Sequence, residues 1–550
     1  MMRTPRVERF LLVVIVVLSI RFSVLSPASA QECPLLFSPA DVIPSESYNY
    51  SSPAFQTLFS TLNTSIGNYI TQHGIQSYAV AIVHQNRTIF TSGLTTTRFR
   101  IASITKTFTA LGALMLRDQG RLLLDDPVKK FLPSFSIINP FGEHETTLRE
   151  LMGHAAGFPQ QLCPYLMTCT DNETEILQQI GGMQLISPPW GDFPAYSNMG
   201  IALLGRAWEK ATDGQQSWED FVAESILKPL GMSNSGVNVS GVELAPNSNP
   251  WALQDLGWSA PAAQMYSTAE DLTKYLKFLI NADPPLISKT SIREWTSPAT
   301  IFTDQMGGYS FPWELVKLYP NSTDFLITKS GNINYYLSRL AFDPPTELGA
   351  VVLAVIDPQI SSGSPDELGD NIMGTIIPAV ETVNQNMLTE IYAGVYTCRR
   401  SSSFVGPTLN YSVEVKTGTI NVSVSPTVGL LADVDISLSN AGQPVSTVGT
   451  WALLLKNGSE NSFWFGDGSV SCSGIVGSVS SGPDLENPNT PGSLYTDVVV
   501  FDPVKGSLQW PAVADACYKA GFQPSEGFCH SPITFFYGVI ISVFLLFFTF

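Results

Sequence analysis

The stretch Arg100-Ile101-Ala102-Ser103-Ile104-Thr105-Lys106-Thr107-Phe108-Thr109-Ala110 decides how the rest of the chain is read. It contains Ser-x-x-Lys at the start of a helical pattern that runs from Ile104 to Gln119, with Thr107, Ala110, Ala113 and Leu114 at packing positions and Gly120 ending it. Positions i and i+3 share a helix face, so the Ser103 hydroxyl and the Lys106 amine can meet. Burial and nearby positive charge would lower the lysine pKa and let it take the serine proton. Taken alone the motif is cheap, since Ser225-Ile226-Leu227-Lys228 matches it too. Tyr-x-Asn is equally cheap, with Tyr196-Ser197-Asn198 and Tyr319-Pro320-Asn321 both fitting.

Order along the chain supplies the specificity. Gly120-Arg121-Leu122-Leu123-Leu124-Asp125-Asp126-Pro127-Val128 follows the serine segment, then Thr147 to Pro159 with His154 inside it, then Ala195-Tyr196-Ser197-Asn198-Met199-Gly200. Lys228-Pro229-Leu230-Gly231-Met232, Tyr266 to Leu272 and Lys329-Ser330-Gly331 complete the series. In this order the segments resemble the serine β-lactamase/transpeptidase-like family over roughly residues 55–385. The resemblance is to the branch of class C β-lactamases, D-alanyl-D-alanine peptidases and related esterases, because the second element is Tyr-x-Asn. It implies an α+β fold: an antiparallel sheet flanked by helices, a helical subdomain beside it, and a site in the groove between them. It further implies Ser103 as nucleophile, with Lys106 and Tyr196 as candidate bases, the choice between them open. Asn198 would orient Lys106 or the substrate amide, and Lys329 would add positive potential. Ser330, Gly331 and Asn332 would form the substrate-side strand, with the oxyanion hole made by the N–H groups of Ser103 and Asn332. The chain departs from many relatives at Ala262-Ala263-Gln264-Met265, where they carry a Gly-Gly pair.

Periodicity outlines the same unit. Phe55–His73 has helical spacing, Tyr78–His84 is β-rich with Asn86–Leu94 as its hairpin partner, Val351–Ile356 is a continuous apolar strand, and Gly369–Val380 reads as a closing helix. Near residue 390 the texture changes to short β-patterned runs between Gly/Ser/Asn turns, including Tyr411–Val415, Thr419–Val424, Trp451–Leu455 and Thr496–Phe501. That pattern predicts a small all-β domain, sandwich or barrel. The expected layout is a leader at 1–30, a catalytic domain at 31–388, a β-domain at 389–515, a linker at 516–532 and an apolar tail at 533–550.

The leader has Arg3, Arg6 and Arg9 before a short apolar run, and Ala28-Ser29-Ala30 before the expected cleavage point. Sequons at Asn49, Asn63, Asn86, Asn172, Asn238, Asn321, Asn410, Asn421 and Asn457 fit a eukaryotic secretory route. In that compartment the seven cysteines should mostly pair; Cys163 and Cys169 could close a local loop, and the other partners are not readable. The tail Ile533–Phe550 reads as a GPI-anchor signal, with a membrane span or a soluble product as alternatives, so the expected location is extracellular or at the cell surface. The formal charge of −18 (29 − 47) argues against nucleic acid as a partner. The sequence has no Cys-x-x-Cys or His-Glu-x-x-His pattern, so no metal or cofactor is expected. A missing Gly-x-Ser-x-Gly elbow leaves an α/β-hydrolase reading without a nucleophile. The expected activity is therefore that of a hydrolase or acyltransferase acting on a small-molecule or peptide ester, amide or lactam. The alternative is a catalytically silent surface or binding protein of the same shape.

Overall fold

The computed structural model describes residues 43–399, apart from 44, 162–171, 192–193, 213, 215, 320–323, 357–358 and 360–361, and beyond 399 the backbone of strands lying between 404 and 519. The leader, the apolar tail, Cys33, Cys163, Cys169, Cys472, Cys529, and the sequons Asn321, Asn410 and Asn457 lie outside the described residues. Two units divide between Asn384 and Gln385.

In the first unit, helix α1 (Pro53–His73) leads into strands β1 (Ser77–His84) and β2 (Arg87–Gly93). Proline in the first turn of α1 and Gly74 in the left-handed region after its last turn fix the two ends. Strand β3 (Phe99–Arg100) and a 3-10 turn at Ala102–Ile104 precede α2 (Thr105–Asp118). A helical region follows, with α3 (Glu173–Gly181), α4 (Asn198–Glu209) and a short turn of helix at Ala260–Ala263. Strand β4 (Tyr266–Ser267) pairs with β3. Then come α5 (Ala269–Asn281), α6 (Lys289–Thr296), β5 (Thr300–Ile301), β6 (Gly307–Tyr309), β7 (Glu314–Val316), β8 (Leu326–Ile333), β9 (Tyr336–Asp343), β10 (Leu348–Val355) and α7 (Pro365–Tyr392).

Eight strands form one sheet in the order β2-β1-β10-β9-β8-β7-β6-β5, with every neighbouring pair antiparallel. Strand β1, from the start of the unit, pairs along its whole length with β10, from its end. All eight residues of β10 are buried; the side chains of α5 reach Gly349 on this strand, while α7 ion-pairs to β9. Helices therefore cover the sheet, and β10 reads as an unbroken apolar run instead of alternating. The closing helix is longer than its apolar pattern predicts, because Pro365–Tyr392 continues past Pro378.

Beyond Tyr392, the described residues of the second unit are all β. Strands β11 (Gly394–Arg399), β12 (Phe404–Val405), β13 (Ser412–Ser425), β14 (Gly429–Asn440), β15 (Gln443–Leu455), β16 (Ser462–Asp467), β17 (Val498–Asp502), β18 (Ser507–Trp510) and β19 (Ala514–Lys519) pair in the order β11-β19-β18-β17-β16-β15-β14-β13-β12. A further β11–β13 pairing closes the ring, so of the two architectures left open by the sequence this is the barrel. Two details differ from the sequence expectation. The expected runs beginning at 411 and 419 fall, over their described residues 412–415 and 419–424, in one strand, β13, broken by a register shift between Val415 and Thr417 that resets the alternation. Residues 516–519, expected in a linker, belong to β19, which pairs with both β11 and β18.

Candidate active site

The serine is presented by a strained turn. Ile101 N–H donates to the Met265 carbonyl at 3.0 Å and the Ile101 carbonyl accepts from Ser338 Oγ at 2.8 Å, which pins the residue on both sides. Ala102 then adopts a positive φ of 45°, unusual for a residue with a Cβ. The chain turns sharply into the 3-10 segment, leaving Ser103 half-buried at its centre while its neighbours Ala102 and Ile104 are fully buried.

Lys106 Nζ lies 2.8 Å from Ser103 Oγ, 2.6 Å from Asn198 Oδ1 and 2.8 Å from the Ala262 carbonyl. No carboxylate is among these partners, and the side chain is wholly buried. Burial is the main cause, seconded by the charge of Lys329, that pulls the Lys106 pKa below that of an ordinary lysine. Tyr196 Oη lies 2.9 Å from the same Ser103 Oγ. The ammonium groups of Lys106 and Lys329 stand 5.1 and 5.4 Å from the Tyr196 ring centre. Burial pushes this phenol up, yet the two lysines outweigh it and hold it below the usual tyrosine value. Lys106 and Tyr196 are thus coupled, and both are biased toward giving up a proton. Tyr196 and Asn198 are placed by Ser197, whose Oγ accepts from Gly200 N–H at 2.9 Å and caps α4.

Strand β8 supplies the far wall. A Cβ on Gly331 would stand 2.4 Å from the Ile101 carbonyl, 2.4 Å from Ser338 Oγ and 3.0 Å from Ser103 N. Only glycine lets the strand lie this close to the Ser103 turn. Lys329 and Ser330 precede it, and Asn332 follows with its side chain exposed. The five residues expected to act together, Ser103, Lys106, Tyr196, Asn198 and Lys329, are joined by direct contacts. The second Ser-x-x-Lys is elsewhere and ordinary: Lys228 is exposed and pairs with Glu224 at 2.6 Å.

The sequence profile of the β-lactamase family matches residues 55–368, more than half of the chain. The chain belongs to the β-lactamase family. It is 29% identical over 410 residues to β-lactamase-like protein 2 of Dictyostelium discoideum, an alignment covering 65% of this chain and 74% of that protein. It is also 29% identical over 272 residues to protein flp of Staphylococcus aureus, covering 47% of this chain and 53% of that one, so it spans about half of that relative. The fold is that of a β-lactamase/D-alanine carboxypeptidase from Yersinia pestis, at a TM-score of 0.51 and 18% identity, covering 59% of this chain and all of that one.

One residue of this β-lactamase-family site escapes a reading of the sequence. Glu314 on β7 binds Lys329 Nζ directly and accepts from Ser330 N–H at 2.9 Å and Ser330 Oγ at 3.0 Å. Burial works against its charge, but Lys329 outweighs burial and keeps the carboxyl ionised below its usual range. Lys329 is held up in turn, against its own burial, and stays an ammonium. Glu314 also raises both Lys106 and Tyr196. Replacing Glu314 with glutamine removes that anion, so both proton acceptors should titrate lower. The acid limb of the kcat/KM–pH profile is expected to move to lower pH, with the deprotonated form persisting further into acid; an unmoved limb contradicts the linkage.

His154, from the Thr147–Pro159 segment, backs the same site. It is buried with φ at 56°, and its Nδ1 accepts from Ser197 N–H at 3.2 Å. Burial, then the charges of Lys106 and Lys329, drive its pKa well down, so it is neutral. Its ring stands 4.5 Å from the Tyr196 ring, centre to centre. In this geometry His154 supports the backbone between Tyr196 and Asn198.

Proposed function

We propose that the chain is a secreted serine hydrolase or acyltransferase that works through a Ser103 acyl-enzyme. The observation that carries this reading is that one hydroxyl oxygen, Ser103 Oγ, lies within hydrogen-bond distance of both Lys106 Nζ and Tyr196 Oη, with the Lys329 ammonium aimed at the same phenol ring. Ser103 Oγ attacks an ester, amide or lactam carbonyl, and its proton passes to the Lys106–Tyr196 pair. The N–H groups of Ser103 and Asn332 receive the oxyanion. Tyr196, beside the departing atom, returns the proton to the leaving group, and the C–O or C–N bond breaks to leave the acyl group on Ser103. Water, or a bound alcohol or amine, then takes the acyl group by the same steps in reverse.

The test is pre-steady-state hydrolysis of an activated aryl acetate by the protein as secreted. A burst of one phenol per Ser103 followed by slower turnover supports the reading, and added alcohol or amine reports acyl transfer. A folded protein with neither burst nor turnover makes it the silent member of its family.

The secretory route has its own support. The sequons Asn49, Asn63, Asn86, Asn172 and Asn238 are all exposed. In the barrel, Cys398 of β11 is in direct register with Cys517 of β19, and cross-strand partners of an antiparallel pair stand about 4.5–5.5 Å apart at Cα, inside the range a disulfide spans. Non-reducing digestion of the secreted protein should therefore yield the 398 and 517 peptides as one linked species. Recovering both as free thiols contradicts passage through an oxidising compartment.

A further inference from the structure

A short segment, residues 251–254, is clamped from two sides and yet leaves two large apolar side chains in solvent. Arg100 on β3 is fully buried and donates from Nη1 to the Ala252 carbonyl at 3.0 Å and to the Gln254 carbonyl at 3.1 Å. Asn334, in the tight turn between β8 and β9, donates from Nδ2 to the Trp251 carbonyl at 2.6 Å. Asn247 Nδ2 donates in turn to the Asn334 carbonyl at 2.7 Å. Within the segment, Trp251 N–H donates to Asn249 Oδ1 at 2.9 Å, and Gln254 N–H to the Trp251 carbonyl at 3.0 Å. The backbone is thus held at residues 251, 252 and 254, while Trp251 is 57% exposed and Leu253 45% exposed. Single apolar residues on a surface are ordinary, but two on one clamped segment form a presented surface.

Both clamps lead to Ser103. Arg100 ends β3 and lies three residues before the serine in the chain. Asn334 lies three residues past Gly331, on which a Cβ would stand 3.0 Å from Ser103 N. Three residues of strand span about 10 Å. Strand β8 also has a direction relative to the reaction: the Lys329 ammonium stands 5.4 Å from the Tyr196 ring centre, Gly331 lies against Ser103, and Asn332 and Asn334 come after.

Given the acyl-enzyme reading above, on which the inference rests, Tyr196 protonates the departing atom, so the leaving group lies at the Lys329 end of β8. The acyl substituent on the same carbonyl carbon points the other way, along β8 toward Asn334 and residues 251–254. We infer that the acyl half of the cleft ends on Trp251 and Leu253, and that the site prefers an ester or amide whose acyl group is apolar and long enough to reach them. An acetyl group stops beside Ser103 and gains nothing there. An extended octanoyl group covers a distance of the order of this run of β8 and lays its last methylenes on the two side chains, where apolar surface leaves water on both partners. The chain is held equally in the bound ester and in the transition state, so the gain falls on KM and raises kcat/KM.

The test on the full-length protein uses 4-nitrophenyl acetate, butyrate and octanoate, each below its micellar concentration, so that the leaving group is constant and only the acyl chain changes. Each kcat/KM is divided by the ester's hydroxide rate to remove intrinsic reactivity. The octanoate is expected to exceed the acetate by at least about tenfold, mainly through KM. In the double variant Trp251→Ser/Leu253→Ser the octanoate-to-acetate ratio is expected to fall by about tenfold. Where that variant melts early, Leu253→Ser alone should lower the ratio in the same direction. Leu123→Ser removes an equally exposed apolar side chain from the loop after α2 and should leave the ratio as in the wild type. A ratio that does not rise with chain length, or a rise that survives the double variant, overturns the inference while Ser103 labelling and turnover leave the acyl-enzyme reading standing. A ratio that falls as far in Leu123→Ser also overturns it. No turnover of any ester and no labelling of Ser103 overturns both.

Discussion

Replacing Ser103 with alanine is expected to lower kcat/KM for an activated ester by at least about a thousandfold and to abolish covalent labelling. The melting temperature should change by no more than about 2 °C, since a half-buried hydroxyl is lost and no cavity of consequence forms. The reason for so large a kinetic effect is that the remaining groups have no substitute nucleophile within reach. Lys106 keeps its contacts to Asn198 and the Ala262 carbonyl, and Tyr196 keeps its place beside both ammonium groups. The site would stay assembled yet form no acyl-enzyme. Steady-state hydrolysis beside a thermal melt checks both halves, and a variant that retains more than a few per cent of wild-type activity contradicts the assignment of the nucleophile.

Gly331→Ala should be nearly as damaging while leaving every catalytic side chain present. The added methyl would stand 2.4 Å from the Ile101 carbonyl and 2.4 Å from Ser338 Oγ. Neither is the free end of a flexible chain: the first is backbone, and the second is fixed by its bond to that same carbonyl at 2.8 Å. Strand β8 must retreat from the nucleophile turn, carrying Lys329 and Asn332 with it. Displacements of about 1 Å in an active site cost on the order of a hundredfold, and overpacking a rigid contact costs about 1–3 kcal/mol of stability. Acylation measured by stopped flow is expected to slow by about a hundredfold or more, with a lowered melting temperature. Wild-type acylation rates in this variant would mean that β8 does not wall the site.

Which parts of this architecture were legible beforehand follows from how far apart in sequence their determinants lie. The Ser103–Lys106 pair is written within one helical turn, and Tyr196–Asn198 within three residues, so the residue types and their order sufficed. Glu314 was not legible: it reaches Lys329 and Ser330 only because β7 pairs with β8 in a register that sets Glu314 opposite Thr328, and nothing local to a lone Trp-Glu-Leu specifies that register. The clamping of residues 251–254 by Arg100 and Asn334 depends on three elements meeting, and was hidden for the same reason. Tyr319, the rival start of a Tyr-x-Asn motif, is exposed and donates to the Gly374 carbonyl at 2.9 Å; the motif is identical, and only its surroundings differ. In the barrel the strands were readable from alternation, but closure rests on β11 meeting β13 as well as β19, and long-range pairing leaves no mark on local pattern.

The most direct test is the site of a covalent adduct. The folded wild-type protein is treated with a fluorophosphonate, and its tryptic peptides are mapped by mass spectrometry. The convergence of Lys106 and Tyr196 on one oxygen requires a single adduct, on the peptide bearing Ser103, formed more slowly in Tyr196→Phe. A properly folded protein that takes no label, or takes it on another serine, would contradict that convergence.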